Sequence, residues 1–281
     1  MTSTFEQEVK QGERYQFGKN WRWFLSVLND KRILEAEKSL KMMLEVESLQ
    51  GKRFLDIGSG SGLFSLAARR LGAKVHSFDY DPDSVACTQE LKRRYFPDDR
   101  DWIIERGSAL DVDYVKSLGQ FDIVYSWGVL HHTGAMWQAL ENASLPVDNN
   151  GLLFIAIYND LGDTSKQWRK IKQVYCSGSL GKILVSAFFI PYFVLGGLTV
   201  DILKRRNPAA RYAQKSRGMS RVHDWFEWLG GYPYEVAKPE EIFNFYQQRG
   251  FSLLKLTTKA QGHGCNEFVL KRQSTGSSST A

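Results

Sequence analysis

Short apolar runs alternate with amphipathic stretches along the middle of the chain. Five of the apolar runs have the length and composition of β-strands: residues 53–57, "KVHSFDYD", "DWIIERG", "FDIVYSW" and "GLLFIAIY". The segments between them, such as "LFSLAARRLG" and "DPDSVACTQELKRRYF", have the start and stop signals of helices. Strands that are apolar on both faces and are separated by helices are typical of a parallel sheet.

Two further strands are predicted after the helical segment "KPEEIFNFYQQRG". They are "FSLLKLTT" and "CNEFVLKR", and the link "KAQGHG" between them is too short to contain a crossover helix, so the two strands must be antiparallel. We therefore predict an α/β fold with a Rossmann-like, mostly parallel seven-stranded sheet, an antiparallel last strand and a helical insertion that caps the ligand site.

The same pattern divides the chain into a core and additions to it. Residues 20–49 have helical periodicity, and after residue 160 the alternation of strands and helices lapses until residue 238. The interruption starts at the carboxyl end of a strand, where ligands bind in open α/β sheets, so we expect it to roof the site. The predicted units are an N-terminal helical cap (residues 1–50), a binding core (51–160), a helical and apolar insertion over the substrate site (161–237), the C-terminal part of the core (238–272) and a flexible tail (273–281).

One segment of the insertion is apolar enough to suggest a membrane. Ile183 to Val200 contains no charged residue, and the basic residues 204–206 follow it. It is open to three interpretations: a single membrane span, an interfacial helix with basic anchors, or a buried helical hairpin that caps a pocket. We favour the buried hairpin, because Pro191 and the pair Gly196–Gly197 are expected to break a regular helix. Peripheral membrane contact is the alternative, and a span ranks last.

Composition and charge narrow the partners and the compartment. The net charge is +6, but no regular alternation of basic and aromatic residues points to nucleic acid, so no nucleic-acid partner is expected. The cysteines Cys87, Cys176 and Cys265 are far apart, with no metal-binding spacing and no disulfide framework, so we expect no metal and a reducing, cytoplasmic setting. The N-terminal stretch carries Glu and Lys where a signal peptide needs an apolar core, which argues against secretion.

The glycine-rich turn "DIGSGSG", from Asp56 to Gly62, is the strongest chemical signal. It lacks the G-K-[ST] ending of a phosphate loop and is one residue short of the dinucleotide pattern. Asp56, which precedes it, repels a pyrophosphate and attracts an ammonium group. A second carboxylate, Asp79, ends the second strand, where it can hold a ribose diol. An ammonium group and a ribose without a phosphate describe S-adenosylmethionine.

The segments "DIGSGSG", "VHSFDYDP" and "FDIVYSWGVLHH" resemble the successive motifs of class I S-adenosylmethionine-dependent methyltransferases. The resemblance covers residues 52–157 and 239–271, and the "VLHH" element resembles the small-molecule branch that includes ubiquinone-pathway O-methyltransferases. It implies S-adenosyl-L-methionine as the cofactor. By position in the motifs, Asp56 would hold the methionine amino group, and Asp79 the ribose. The other implied contacts are Gly58, Ser59, Gly60 and Gly62 for close backbone approach, Tyr80, Ser108 and Ala109 near the adenine, with Asp111 as a substitute for Ser108, and Trp127 and Gly128 at the methionine end.

Methyl transfer requires alignment and a dry site, and it requires a base only when the acceptor has a proton to lose. His131 and His132 follow the fourth strand and are the candidate catalytic bases. The pair His223–Asp224 in the insertion is a second candidate. Candidate substrate-binding residues are Tyr158, Asn159, Trp168, His223, Trp225 and Tyr232.

The aromatic stretches "YQFGKNWRWF" and "DWFEWLGGYPY" suggest a closed hydrophobic chamber. The expected function is therefore O-methylation of a small acceptor that is apolar, aromatic or a lipid-linked glycan. The alternatives are a nitrogen or carbon acceptor, including a peptide side chain, and a non-catalytic scaffold that binds the cofactor. A dehydrogenase ranks third, because its dinucleotide loop would need one more residue. No oligomeric state is predicted.

Overall fold

The computed structural model describes residues 4–203, 221–259 and 262–274, without the side chains of residues 221–224 and 227. A seven-stranded sheet in the order β3-β2-β1-β4-β5-β7-β6 forms its centre. The strands are β1 (Arg53–Ile57), β2 (Lys74–Asp79), β3 (Trp102–Arg106), β4 (Phe121–Trp127), β5 (Val147–Tyr158), β6 (Phe251–Thr257) and β7 (Cys265–Arg272).

Helices cover both faces of this sheet. In the described part of the chain they are α1 (Phe5–Lys10), α2 (Gly18–Ser26), α3 (Asp30–Leu44), α4 (Leu63–Arg70), α5 (Pro82–Tyr95), α6 (Val112–Ser117), α7 (Met136–Ser144), α8 (Asp163–Cys176), α9 (Ser179–Leu203), α10 (Arg221–Gly230) and α11 (Pro239–Gln247), with a 3₁₀ turn at Leu130–His132.

The strand directions confirm the predicted sheet. Neighbouring strands from β1 to β5 pair in parallel, whereas β7 runs antiparallel to both of its neighbours, β5 and β6. Successive residues of a strand point to opposite faces. Accordingly, Leu55 packs in the apolar cluster under α6, α7 and α11, and Phe54 packs in the cluster under α3, α4 and α5.

The N-terminal region differs from the single helical stretch expected for residues 20–49. It forms two helices, because Asn29 accepts a hydrogen bond from the backbone amide of Arg32 and starts α3 as its N-cap. α1 was not foreseen, and α2 packs on α5 beside the glycine-rich turn.

The structure overturns the prediction of a broken, buried hairpin in the insertion. α9 is one helix of 25 residues that continues through Pro191, and only 6% of its most apolar 18-residue window is buried. It is long and apolar enough to cross a membrane by length and composition. Residues 204–206 and 275–281, which carry the basic flank and most of the predicted tail, lie outside the described residues.

Candidate functional site

A cavity of about 540 Å³ lies at the carboxyl ends of β1, β2 and β4. This volume is within the range of about 300–1,000 Å³ that is typical of small-molecule sites. On one side the structure brings together these predicted cofactor residues: Asp56, Gly58, Ser59, Gly60, Asp79, Tyr80, Ser108, Ala109, Trp127 and Gly128. The predicted residues His132 and Tyr158 also line the cavity.

Asp56 is a buried carboxylate without a basic partner. It lies one residue before the end of β1 with its side chain in the cavity wall, and none of the described Lys or Arg residues forms an ion pair with it. Burial is the main cause that raises its pKa to about 7; the hydrogen bond from Ser65 opposes the rise, and the charge of Asp79 adds to it. The site is therefore suited to a ligand group that brings a positive charge.

A chain of buried hydrogen bonds orients the Asp56 carboxylate. The indole Nε1 of Trp102 donates to Ser77 Oγ at 3.0 Å, and Ser77 Oγ donates to Ser65 Oγ at 2.8 Å. Ser65 Oγ in turn donates to Asp56 Oδ2 at 2.5 Å. Because every hydroxyl in the chain has both a donor and an acceptor partner, the carboxylate is held in one orientation at the edge of the cavity.

Asp79 organises the glycine-rich turn. Its Oδ2 accepts the backbone N–H of Gly60 at 2.9 Å, and its Oδ1 accepts the N–H of Asp81 at 2.9 Å. Burial raises its pKa to about 6, and the amide hydrogen bonds oppose that rise. Each carboxylate oxygen retains a second lone pair, so the side chain can still accept hydrogen bonds from a diol in the cavity.

Glycine is required at three positions near the site for different structural reasons. Gly58 has φ +77°, and a Cβ there would lie 2.3 Å from Val129 Cγ1, so the turn and the loop after β4 are in direct contact. Gly62, which does not line the cavity, has φ +78° and packs against the backbone of Thr88. Gly128 has φ +75° but faces open space in the cavity wall.

We expect Gly58→Ala to destabilise the fold more than Gly128→Ala. Both substitutions place a side chain at positive φ, which costs roughly 1–2 kcal/mol, but only the first also collides with Val129. The Gly58 variant should therefore lose about 2–4 kcal/mol of unfolding free energy, against about 1–2 kcal/mol for Gly128. Urea unfolding of both variants measures this difference, and equal losses would contradict the packing argument.

The adenine-side candidates fall into two environments. Ser108 accepts a hydrogen bond from the backbone of Leu110 at 3.2 Å and lines the cavity. Asp111, the suggested substitute, does not line it; its carboxylate accepts the N–H of Tyr114 as the N-cap of α6. Tyr80 donates its hydroxyl hydrogen to Glu8 at 3.2 Å, and burial and the Glu8 charge raise its pKa.

The N-terminal segment forms one wall of the cavity. Tyr15, Phe17 and Trp21 line it, as the aromatic stretch of the sequence suggested. Arg14, which sequence reasoning missed, also lines it. The Arg14 guanidinium lies 5.1 Å from the Tyr80 ring centroid and donates to the carbonyl oxygen of His132 at 2.8 Å. Arg14 therefore ties the N-terminal segment to the loop after β4.

The two histidines have different positions. His132 lines the cavity, and its Nδ1 lies 2.6 Å from the carbonyl oxygen of Pro233. In the neutral ring Nδ1 is thus the donor, and Nε2 is left as the acceptor nitrogen. Burial lowers the pKa of His132 to about 3, against the opposing hydrogen bond to Pro233. The ring is therefore neutral at physiological pH.

His131 is fully buried and does not line the cavity. Its Nδ1 accepts the backbone N–H of Tyr158 at 3.3 Å, and its Nε2 has no hydrogen-bond partner among the described residues. Burial is the main cause that lowers its pKa well below the ordinary value. Its ring lies 4.0 Å from that of Tyr158, which it supports from behind.

The substrate candidates in the insertion form a layer behind the cavity. Trp228, which was not singled out from the sequence, lines the cavity, and Trp168 lies 5.2 Å behind it. Trp225 packs against Phe193 at 5.9 Å, and the carbonyl oxygen of Tyr232 accepts the N–H of Tyr15. None of these three candidates lines the cavity. The side chain of His223 lies outside the described residues.

Asn159 and Lys172 have structural roles that the sequence did not reveal. Asn159 lies outside the cavity lining, and its Oδ1 accepts a hydrogen bond from Asn266 at 3.0 Å, which links β5 to β7. Lys172 of α8 is fully buried; it donates to the carbonyl oxygen of Trp228, and its Nζ lies 4.2 Å from that ring's centroid. Burial lowers the pKa of Lys172 to about 7.

Within the described ranges, no cluster of His, Cys, Asp and Glu is arranged to hold a metal ion.

Comparisons with known proteins agree with this geometry. The family described as "Methyltransferase domain" matches residues 55–153. A ribosomal protein L11 methyltransferase from Methylococcus capsulatus is 41% identical over 71 residues, which is 25% of this chain and 24% of that protein. A ubiquinone biosynthesis O-methyltransferase from Brucella ovis is 29% identical over 119 residues, which is 40% of this chain and 43% of that protein. The chain thus spans less than half the length of these relatives.

A solved structure shows the same fold. PKMT2 from Rickettsia typhi, in complex with AdoHcy, superposes with a TM-score of 0.51 at 15% identity, over 80% of this chain and 49% of that chain. At this identity the likeness shows the fold alone. Residues 55–153 thus match the methyltransferase-domain family, and the described chain shares its fold with this structure.

Proposed function

We propose that the chain is an S-adenosylmethionine-dependent methyltransferase that acts on a small molecule. The observation that carries this proposal is the pair Asp56 and Asp79, a buried and a half-buried carboxylate at one end of a cavity of about 540 Å³. Asp56 suits the ammonium group of the methionine part, since it has no basic partner among the side chains that the structure describes. Asp79 suits the ribose diol, and open space at Gly128 leaves room for the methionine part.

The residues of the chain fit the demands of methyl transfer. Bound in this cavity, the cofactor would supply an electrophilic methyl group on a sulfonium sulfur. Tyr158 and Trp228 exclude water from the other end of the cavity and give an acceptor an apolar surface. His132, with Nδ1 held by Pro233, offers a neutral Nε2 to an acceptor hydroxyl. Because the pKa of His132 is low, Nε2 would take the proton as the new carbon–oxygen bond forms and makes the hydroxyl hydrogen acidic. His131 holds the Tyr158 backbone and acts as a positioning residue.

For the acceptor we infer O-methylation of an apolar, aromatic or lipid-linked glycan group. The carboxylates that line the cavity are Asp56, Asp79 and Asp81, all at the cofactor side. An amine acceptor would be expected to have a carboxylate nearby, which makes a nitrogen acceptor the second candidate. Relatives named for ribosomal protein L11 and for ubiquinone biosynthesis are consistent with either a protein or a small-molecule acceptor.

A cytoplasmic setting with contact to a membrane surface accords with these features. Cys87, Cys176 and Cys265 are free thiols, as expected in a reducing compartment. α9 presents an apolar surface for the membrane contact.

The alternative function is a non-catalytic scaffold, which would bind the cofactor and transfer no methyl group. Turnover with labelled cofactor distinguishes an enzyme from such a scaffold.

His132→Ala should abolish most turnover and preserve cofactor binding. We expect kcat to fall about 10²- to 10⁴-fold for a hydroxyl acceptor, the range for loss of a general base. The affinity for S-adenosylhomocysteine should stay close to that of the wild type. Label transfer from methyl-labelled S-adenosylmethionine to 4-octylphenol, octyl glucoside and octylamine measures kcat. Calorimetry measures the affinity for S-adenosylhomocysteine.

The three acceptors share one apolar chain and differ only in the head group, so their ranking identifies the methylated atom. His76→Gln is the matched control, because His76 lies in β2 outside the cavity lining. Full activity of His132→Ala with every acceptor would remove the assignment of the base. Methylation of octylamine alone would favour the nitrogen acceptor.

A further inference from the structure

α9 has one face packed on the protein and another that is apolar and exposed. Val185, Phe189 and Phe193 pack into a cluster with α8 and α10. One position earlier in each turn, Leu184, Phe188 and Tyr192 are 60%, 68% and 63% exposed. This exposed stripe is extended at both ends by Leu180, Ile183, Leu195, Ile202 and Leu203.

The extent and the composition of this face set it apart from an ordinary surface. A helix of 25 residues is about 37 Å long, and soluble proteins rarely leave a continuous apolar patch of that extent exposed. The exposed charged residues of α8 and α9 are mostly basic: Lys166, Arg169, Lys170 and Lys182, against Asp163, which is paired with Lys166. Asp201, the one acid of α9, is buried. An apolar stripe with basic flanks is complementary to an anionic lipid bilayer.

The packing also decides how α9 would meet the bilayer. Phe189 lies in the middle of the helix, and its ring lies 5.3 Å from that of Trp168 in α8. The middle of a spanning helix would be at the centre of the bilayer, but here it rests against the folded body. After the insertion, β7 pairs with β5 in the central sheet, so both sides of the insertion belong to one body. A helix attached in this way lies along the membrane surface.

We propose that α9 docks the protein on an anionic membrane surface, with the Leu184–Phe188–Tyr192 stripe in the lipid and the basic residues at the headgroups. The opposite face of α9 connects to the cavity wall through aromatic rings in contact. Phe193 lies 6.5 Å from Trp168, which lies 5.2 Å from Trp228, a residue of the cavity wall. This position brings the acceptor end of the cavity close to the lipid, so an acceptor carried on a lipid chain enters from the membrane. Docking is independent of the proposed function, whereas the entry of the acceptor rests on it.

Sedimentation with lipid vesicles tests the docking. The full chain is expected to pellet with vesicles that contain phosphatidylglycerol, to bind phosphatidylcholine vesicles more weakly, and to lose affinity for the anionic vesicles as salt rises. The double variant L184E/F188E should lower the partition coefficient at least about tenfold. Lys182→Gln, which removes one positive charge, should lower it about fivefold. The matched control is L254E/L256E, which adds the same charge on exposed apolar positions of β6.

Three outcomes would overturn the proposal: wild-type protein that does not pellet with anionic vesicles, equal binding by L184E/F188E, and a dimer in ultracentrifugation that this variant converts to monomer without any vesicle binding. The third outcome would make the stripe a contact between two copies of the chain. Calorimetry with S-adenosylhomocysteine on the same variants keeps the two proposals apart. Loss of vesicle binding with intact cofactor binding would concern α9 alone, and loss of cofactor binding in the wild type would concern the proposed function alone.

Discussion

Replacing Asp56 with Asn is expected to weaken the binding of S-adenosylhomocysteine about 10²- to 10³-fold, or about 3–4 kcal/mol, since it removes one partner of a buried charge pair. The change keeps the shape of the side chain and its acceptor oxygen for Ser65, so the fold should persist. It removes the negative charge that an ammonium group would meet. Calorimetry at neutral pH measures the effect.

The pH dependence of binding gives this expectation a second readout. The pKa of Asp56 is raised to about 7, so the carboxyl takes up protons below that pH and no longer attracts a cation. Affinity should therefore fall about tenfold per pH unit below 7, and more steeply below about 6, where Asp79 is protonated too. The ligand's own α-ammonium, beside the carboxylate of a free amino acid, keeps its proton into the alkaline range. Affinity should thus rise up to about pH 7 and level off above it.

In Asp56→Asn the slope between pH 6 and 7 should disappear, because the group that titrates there is gone. The matched control is Asp113→Asn, which changes an exposed carboxylate on α6 that lies outside the cavity lining. Unchanged affinity in Asp56→Asn, or the same slope in both variants, would contradict the role of Asp56 and the proposed cofactor site with it.

Lys172→Met is expected to reverse the sign of its stability effect with pH. Burial lowers the pKa of Lys172 from 10.5 to about 7. Between these values the unfolded chain binds a proton that the folded protein does not, so wild-type stability rises with pH over this window. At about 1.4 kcal/mol per unit, the group costs the folded protein roughly 5 kcal/mol below pH 7, and the cost disappears near pH 10.5.

Methionine removes that cost but leaves the carbonyl oxygen of Trp228 without the Nζ donor, a loss of about 1–3 kcal/mol. The variant should thus be more stable than the wild type at pH 6.5 and less stable at pH 10. Urea unfolding at pH 6.5 and at pH 10 measures the difference in unfolding free energy between the variant and the wild type. Every other titrating group is common to the two proteins, so its contribution cancels in this difference. Lys170→Met, on the exposed side of the same helix, is the control. Parallel pH profiles for wild type and Lys172→Met would show that the ammonium group is not desolvated.

The sheet and the cofactor end of the cavity were predictable because short-range patterns encode them. Each strand is a run of apolar residues bounded by turn signals, and carboxyl ends of parallel strands meet at one edge. The sequence alone therefore predicts that Asp56 and Asp79 lie near each other. The parallel order of β1 to β5 and the antiparallel β7 confirmed this reasoning.

The insertion was harder to predict because its packing depends on contacts between distant residues. Pro191 was expected to break α9, but the helix continues through it. On either side of the proline, Phe189 and Phe193 pack against Trp168 of α8, a contact between distant residues that the sequence pattern does not show. Lys172 had no distinguishing neighbour in the sequence, since its environment is made by α10. His131 lies behind the cavity and His132 lies in its wall, because the 3₁₀ turn that contains both residues points their side chains in different directions. The sequence alone does not distinguish these two positions.

The position of β7 has a consequence for how the chain folds during synthesis. β7 lies between β5 and β6, and its pairing joins Tyr158 to Cys265 across more than a hundred residues of sequence. Until residues 265–272 have left the ribosome, β5 keeps an unsatisfied hydrogen-bonding edge, and the apolar insertion emerges before the sheet that follows it is complete. A nascent chain of this kind is vulnerable to aggregation for longer than one whose strands pair in order of synthesis, so chaperone dependence should be concentrated in this interval.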